Sequence, residues 1–181
     1  MLPFYKALMK NFRSTGAFAP STRYLANTVA RILPKPFTGT LVELGPGTGN
    51  ITKALIKAGV PEQQIIAIES AQEFARYVKT RFPNVSIIHG SAADLSRLVS
   101  NAERPITAVV SSLPLRSMPK DLVEEIIHEI DSTLAPTGYY IQYTYFKKQN
   151  PIIKLKSYHR LKSKLVLANL PPARVDVFQK D

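Results

Sequence analysis

The segment Thr40-Leu41-Val42-Glu43-Leu44-Gly45-Pro46-Gly47-Thr48-Gly49-Asn50-Ile51-Thr52 reads as a strand, a glycine-rich turn and the first turn of a helix. Apolar and β-branched residues over 40–44 suit a buried strand. Glycines at 45, 47 and 49 let the backbone come close to a ligand, and amides at the helix start can hold a carboxylate. A dinucleotide site spaces its glycines G-x-G-x-x-G. The pattern here is E-x-G-x-G-x-G, which disfavours a pyrophosphate. Glu69, twenty residues past Gly49, closes the next expected strand, where an acid grips ribose hydroxyls.

Outward from this turn the chain alternates strand and helix. Expected strands are Thr40–Leu44, Gln64–Glu69, Val85–Ile88, Ile106–Ser111 and Gly138–Phe146. Helices are expected over Thr48–Ala58, ended by Gly59, from a Ser70/Glu73 capping box, near Ala93–Val99, and from Pro119. In the last of these Leu122, Val123, Ile126, Ile127, Ile130 and Leu134 share one side. Strands alternating with helices imply a parallel sheet covered on both faces. Lys164–Ala168 and Arg174–Gln179, joined by Asn169-Leu170-Pro171-Pro172, lack a crossover helix and should form an antiparallel hairpin. The expectation is an α/β fold, a mostly parallel seven-stranded sheet with an antiparallel C-terminal edge hairpin. N-terminal helices precede it: an amphipathic one over 1–13 and a second from Ser21 to before Pro34, with Leu25, Val29, Ile32 and Leu33 as its stripe. Residues 1–36 thus read as amphipathic lid helices and 37–181 as the main domain.

Charge is distributed unevenly over the 181 residues. Residues 1–42 hold six cations and no acid, residues 43–140 carry a net −2, and residues 141–181 a net +7. A near-neutral centre with cationic ends suits an anionic partner such as a membrane surface, nucleic acid or a phosphate-bearing substrate; a solubilising surface is the plainer alternative. There is no cysteine, so disulfides and thiolate metal sites are excluded, and His89, His128 and His159 show no ligand spacing, so no metal is expected. No apolar run approaches the ~18 residues of a membrane span. Lys6, Lys10 and Arg13 interrupt the N-terminal apolar stretch, which argues against a signal peptide.

Glu43–Gly49 followed by Asn50-Ile51-Thr52 resembles motif I of class I S-adenosylmethionine-dependent methyltransferases, which have a Rossmann-like fold. The resemblance implies that Glu43, Gly45, Gly47 and Gly49 surround the methionine part of S-adenosylmethionine. Glu69, with Ser70 beside it, would take the ribose. Gly90-Ser91-Ala92-Ala93-Asp94-Leu95 matches the segment that flanks adenine, with Ser91 where the family often has Asp; the Ala92 backbone is then the expected contact. Ser111 closes strand 4 beside the same site.

Base-modifying relatives carry Asn-Pro-Pro-Tyr or Asn-Ile-Pro-Tyr after strand 4, the ring stacking on the base. This chain has Ser112-Leu113-Pro114-Leu115, without an aromatic platform, which argues against a nucleic-acid partner. Together with Gly16-Ala17-Phe18-Ala19-Pro20-Ser21 and Asn169-Leu170-Pro171-Pro172-Ala173-Arg174-Val175, the chain is similar to bacterial soluble-type phospholipid N-methyltransferases, which methylate phosphatidylethanolamine. This resemblance implies a lipid-headgroup amine as acceptor and an anionic membrane surface as partner. The enzyme would be a monomer, cytoplasmic and peripherally bound to the inner face of the membrane. Carbonyls at Ser111, Ser112 and Leu113 would hold the amine, Tyr5 and Tyr145 would reach the headgroup, Leu115 would line the acceptor site and Arg116 would pair with the phosphate. Residues 1–13, and Lys147 to Lys164 with its seven cations, would touch lipid. Rival readings are an ornithine-lipid N-methyltransferase, an rRNA adenine methyltransferase and a non-catalytic membrane-binding module.

Overall fold

A computed structural model describes residues 23–145, 157–168 and 172–181. The expected helix over 1–13, the start of the second helix at Ser21, the segment 146–156 and the turn residues 169–171 lie outside the described residues.

Seven strands form one sheet in the order β3-β2-β1-β4-β5-β7-β6. They are β1 (Thr40–Leu44), β2 (Ile65–Glu69), β3 (Ser86–His89), β4 (Ile106–Ser111), β5 (Tyr139–Tyr145), β6 (Tyr158–Val166) and β7 (Ala173–Lys180). The first five are parallel, and β7 pairs antiparallel with both β5 and β6. The sheet is therefore mostly parallel with an antiparallel edge, as the alternation implies. The order reverses at β1/β4, which puts the ends of these strands at the switch point where α/β sheets bind ligands.

Helices cover both faces. On one side lie α1 (Arg23–Ala30), α2 (Asn50–Lys57) and α3 (Gln72–Arg81), and on the other α4 (Leu95–Leu98) and α5 (Lys120–Thr133). Each strand sends alternate side chains to two cores. Leu41, Ala108, Val110 and Ile141 join Leu25, Val29, Ile51 and Leu55 in one. Val42, Leu44, Val109 and Tyr140 join Leu95, Val123, Ile126 and Ile130 in the other. Leu122 and Ile127, expected on the same α5 stripe, are only partly buried at its margins. The amine of Lys180 in β7 donates to the carbonyls of Asp131 and Leu134, and so caps the end of α5 with a cation.

Two local expectations differ. The helix after β2 is not entered through a Ser70/Glu73 box: its N-cap is Ala71 and has no side-chain cap. Glu69 already accepts from the Ala71 amide, so the turn is closed one residue earlier. Strand β6 begins at Tyr158, six residues before the expected Lys164. The sequence puts these cations in a lipid-contacting stretch ahead of the strand, yet an outer strand tolerates them because its side chains face water.

Ile130 is fully buried under the sheet, whereas Glu125 on the same helix is exposed. Ile130→Ala is expected to cost roughly 2–5 kcal/mol. Glu125→Ala should stay within about 0.5 kcal/mol. Urea denaturation midpoints of the two variants check this.

Candidate active site

Three backbone bonds gather the strand ends. The Gly45 amide donates to the Ile68 carbonyl at 2.9 Å, Gly90 to Glu69 at 3.0 Å, and Ser112 to Leu44 at 2.9 Å. The turns after β1, β2, β3 and β4 therefore sit side by side, and the residues expected at the cofactor come together there.

The three glycines of the first turn all adopt left-handed φ, at 70°, 56° and 74° for Gly45, Gly47 and Gly49. Each is constrained differently. A Cβ on Gly45 would lie 3.0 Å from Leu113 Cδ2, so this glycine admits the loop after β4. A Cβ on Gly49 would lie 2.6 Å from Phe82 Cε2, so this one admits an aromatic ring. A Cβ on Gly47 would meet nothing within 4 Å: it faces open space. Arg81 stands beside Phe82, its guanidinium 5.2 Å from the ring centre, and donates to the Thr48 carbonyl at 2.6 Å. Arg81 and Phe82 escaped the sequence reading, because residues at a helix end carry no spacing that ties them to a turn thirty positions earlier.

The Glu69 side chain, only 4% exposed, bridges two turns. Its Oε2 accepts from the Gly47 amide and its Oε1 from the Ala71 amide, both at 3.0 Å. Burial pushes its carboxyl up, while those amides, the Ser70 amide and His89 oppose the shift. A carboxylate has about four lone-pair sites, so each oxygen retains capacity for a hydroxyl donor. Glu43 is completely buried; Thr52 Oγ1 donates to its Oε2 at 2.7 Å, and its Oε1 has no partner. Burial, more than any charge nearby, raises its carboxyl to about 7. Ser70 is exposed, and its carbonyl meets His89 Nε2 at 3.0 Å. Ser91 Oγ accepts from the Ala93 amide at 3.2 Å, so its side chain caps the short turn Ala92–Asp94. The Ala92 side chain is buried.

At the other end, Ser111 is buried and its Oγ accepts from the Leu113 amide at 3.4 Å. Pro114, at φ −80° and ψ 60°, centres an inverse γ-turn in which the Leu115 amide donates to the Leu113 carbonyl at 2.9 Å. The same carbonyl accepts from Gln142 Nε2 at 3.2 Å. Gln142 is in turn fixed by the Tyr140 hydroxyl, which donates to its Oε1 at 2.9 Å. Gln142 also escaped the sequence reading; its signal is an amide amid aromatic residues in a buried strand, where polar groups need partners. Leu115, expected at the acceptor, is instead 2% exposed and packed into the core beside Val123 and Ile126. The γ-turn swings it inward. Arg116 is exposed on the next turn. Tyr145 ends β5 opposite Ala173; its side chain, like Tyr5, lies outside the described residues.

These features fit S-adenosylmethionine: open space above Gly47, an acid positioned for hydroxyls, and an unsatisfied carboxyl oxygen beneath the turn. Among the described residues no group of three His, Asp or Glu could hold a metal ion, and no helix is long and apolar enough to cross a membrane.

Two predictions follow from this geometry. Gly47→Ala should fold with a loss of roughly 1–2 kcal/mol from left-handed strain, and Gly49→Ala should lose roughly 2–4 kcal/mol because strain and overpacking against Phe82 add. Denaturation ranks the two, and calorimetry should find S-adenosylhomocysteine bound at least tenfold more weakly by Gly47→Ala. The second concerns pH. The Glu43 carboxyl moves from 4.5 to about 7 on folding, so between those values the folded chain holds more protons. The stability contributed by this carboxyl is then fully present below the lower value and is lost as pH rises through the higher. A loss of roughly 2–3 kcal/mol between pH 4.5 and 7.5 is expected, mostly removed in Glu43→Gln. Urea melts at several pH values measure it.

The family described as methyltransferase domain matches residues 41–138. The ornithine lipid N-methyltransferase of Singulisphaera acidiphila is 32% identical over 96% of this chain and 94% of its own length. Among solved structures, TrmN from Thermus thermophilus superposes with a TM-score of 0.74 at 15% identity, covering 94% of this chain and 52% of that one. The glycopeptide N-methyltransferase MtfA, solved with S-adenosylhomocysteine, superposes at 0.69 with 10% identity, covering 91% and 92%. The chain belongs to the methyltransferase-domain family and is a class I S-adenosylmethionine-dependent methyltransferase.

Proposed function

We propose that the enzyme N-methylates the amine headgroup of a membrane lipid at the membrane surface. The observation that carries this reading is the similarity to the ornithine lipid N-methyltransferase, which runs along nearly the whole chain. Ornithine lipid and phosphatidylethanolamine both present a primary amine beside an anion, a carboxylate in one and a phosphate in the other. The relative's name favours ornithine lipid, and the motif resemblance favours phosphatidylethanolamine. The acceptor loop disfavours a nucleobase, since Ser112 replaces the asparagine and Leu115 is buried in the core, leaving no ring to stack on a base.

S-adenosylmethionine supplies an electrophilic methyl group on a sulfonium centre. Around it, Gly45, Gly47 and Gly49 border the methionine part, Glu69 and Ser70 take the ribose side, and the Ala92 backbone the adenine. The Leu113 carbonyl has both lone pairs committed, to Leu115 and Gln142. Among the expected carbonyls, that of Ser112, the first residue beyond β4, then orients the amine, with Ser111 beside it at the paired end of the strand. Holding a neutral amine in place is the main catalytic task, since positioning is worth roughly 7–11 kcal/mol. Arg116 pairs with the headgroup anion, and Tyr145 and Tyr5 contact the headgroup. Residues 1–36 serve as a lid, with α1 packed on the core beside α2.

Methyl-tritiated S-adenosylmethionine is offered with vesicles containing ornithine lipid, vesicles containing phosphatidylethanolamine, or rRNA. Label should enter an aminolipid; label confined to rRNA overturns the reading. Arg116→Ala should raise KM for the lipid roughly tenfold, the value of a charge-assisted hydrogen bond, with KM for the cofactor unchanged. Unaltered kinetics in both Arg116→Ala and Tyr145→Phe would remove those two residues from the mechanism.

A further inference from the structure

We infer that the outer edge of the sheet, strand β6 with Leu167 just beyond it, is the surface that docks on an anionic lipid bilayer. The inference rests on the lipid reading above and adds the place of contact.

Strand β6 is the last in the sheet, and seven of its nine residues are exposed. Three of the five large apolar side chains exposed among the described residues lie here: Leu161 at 49%, Leu165 at 44% and Leu167 at 67%. They alternate along the strand with the exposed cations Arg160, Lys162 and Lys164; Lys162 and Lys164 share the face of buried Val166 and Leu165 takes the opposite one, so it is the edge itself that presents both kinds. Leucines that enter acyl chains, set among cations that meet headgroup phosphates, are the composition of an interfacial segment. The strand also carries a register shift at Leu161, between Arg160 and Lys162. An irregular edge with a row of like charges opposes pairing with a second copy of itself. Single-stranded nucleic acid calls for aromatic platforms, whereas the apolar residues here are leucines.

Position supports the same partner. Val166 pairs with Ala173, and Ala173 with Tyr145, the last residue of β5. Leu165 and Leu167 therefore lie at the sheet end where β1 and β4 deliver Gly45 and Ser112. From β4 to β6 is three strand spacings, about 14 Å. A bilayer against this end of β6 would bring headgroups to the rim of the site without drawing a lipid far from the membrane.

The full chain is sedimented with phosphatidylcholine vesicles, with and without phosphatidylglycerol. Binding is expected only with the anionic lipid. Lys162→Gln with Lys164→Gln should weaken it roughly thirtyfold, since each cation at such a surface contributes about a fivefold factor. Combined Leu161→Gln, Leu165→Gln and Leu167→Gln should reduce it at least tenfold, with S-adenosylhomocysteine binding unchanged as proof of folding. The chain contains no tryptophan, so Leu167→Trp is a clean reporter. Its emission should shift to the blue on anionic vesicles and be quenched by brominated acyl chains. Wild-type vesicle binding by the leucine variant, or a reporter blind to lipid, overturns the inference. So does a dimer in light scattering that the leucine variant dissolves, or tighter binding to single-stranded RNA than to vesicles. Vesicle binding lost in the variants while no lipid is methylated would uphold this surface and refute the proposed reaction.

Discussion

A single carboxylate, that of Glu69, ties the turns after β1 and β2 together. One oxygen holds the amide of Gly47 and the other that of Ala71, so the glycine turn after β1 and the helix entry after β2 share one anchor. A carboxylate this buried is costly unless its charge meets donors, and backbone amides are the donors that need no side chain to order. The Gly47 amide is available because the residue lies in the left-handed region with nothing beside it. The anchor thus depends on the glycine, and the open shape of the turn depends on the anchor. Phe82 against Gly49 and Arg81 on the Thr48 carbonyl brace the same turn from the far side.

The sequence made the sheet legible where hydrophobic patterning and punctuation coincide. Strands β1 and β4 are found over the expected residues because each is an apolar run cut off by glycine or by proline-rich loop. Where an element is held by a distant partner, local rules fail. The serine–glutamate spacing at 70 and 73 satisfies a capping box on paper, but Glu69 reaches the Ala71 amide first. The cations of β6 hide a strand, because exposed edge positions do not repeat the apolar alternation that marks a half-buried one.

The two halves of the candidate site differ in the same way. The cofactor end is written in backbone: three glycines, each with a positive φ, and acids at fixed places at the ends of β1 and β2. Such requirements fall on consecutive residues, so they were readable. The acceptor end is built from side chains that meet only in the fold. Gln142 of β5 locks the Leu113 carbonyl, Tyr140 locks Gln142, and the turn at Pro114 carries Leu115 into the core while leaving Arg116 outside. No spacing in the chain announces that arrangement.

That contrast bears on how such an enzyme can change its acceptor. The cofactor turn is constrained from three sides, by Glu69, Phe82 and the Leu113 side chain against Gly45, so substitutions there disturb the fold and the cofactor together. The loop after β4 is anchored at its start, by the Ser112 amide on β1 and the Leu113 carbonyl on Gln142, while Arg116 projects free of the core. Side chains beyond the anchors can vary without loosening the turn that holds the methyl donor. On the lipid reading proposed above, acceptor chemistry is set at that loop, where Arg116 stands clear of the core, rather than at the glycine turn.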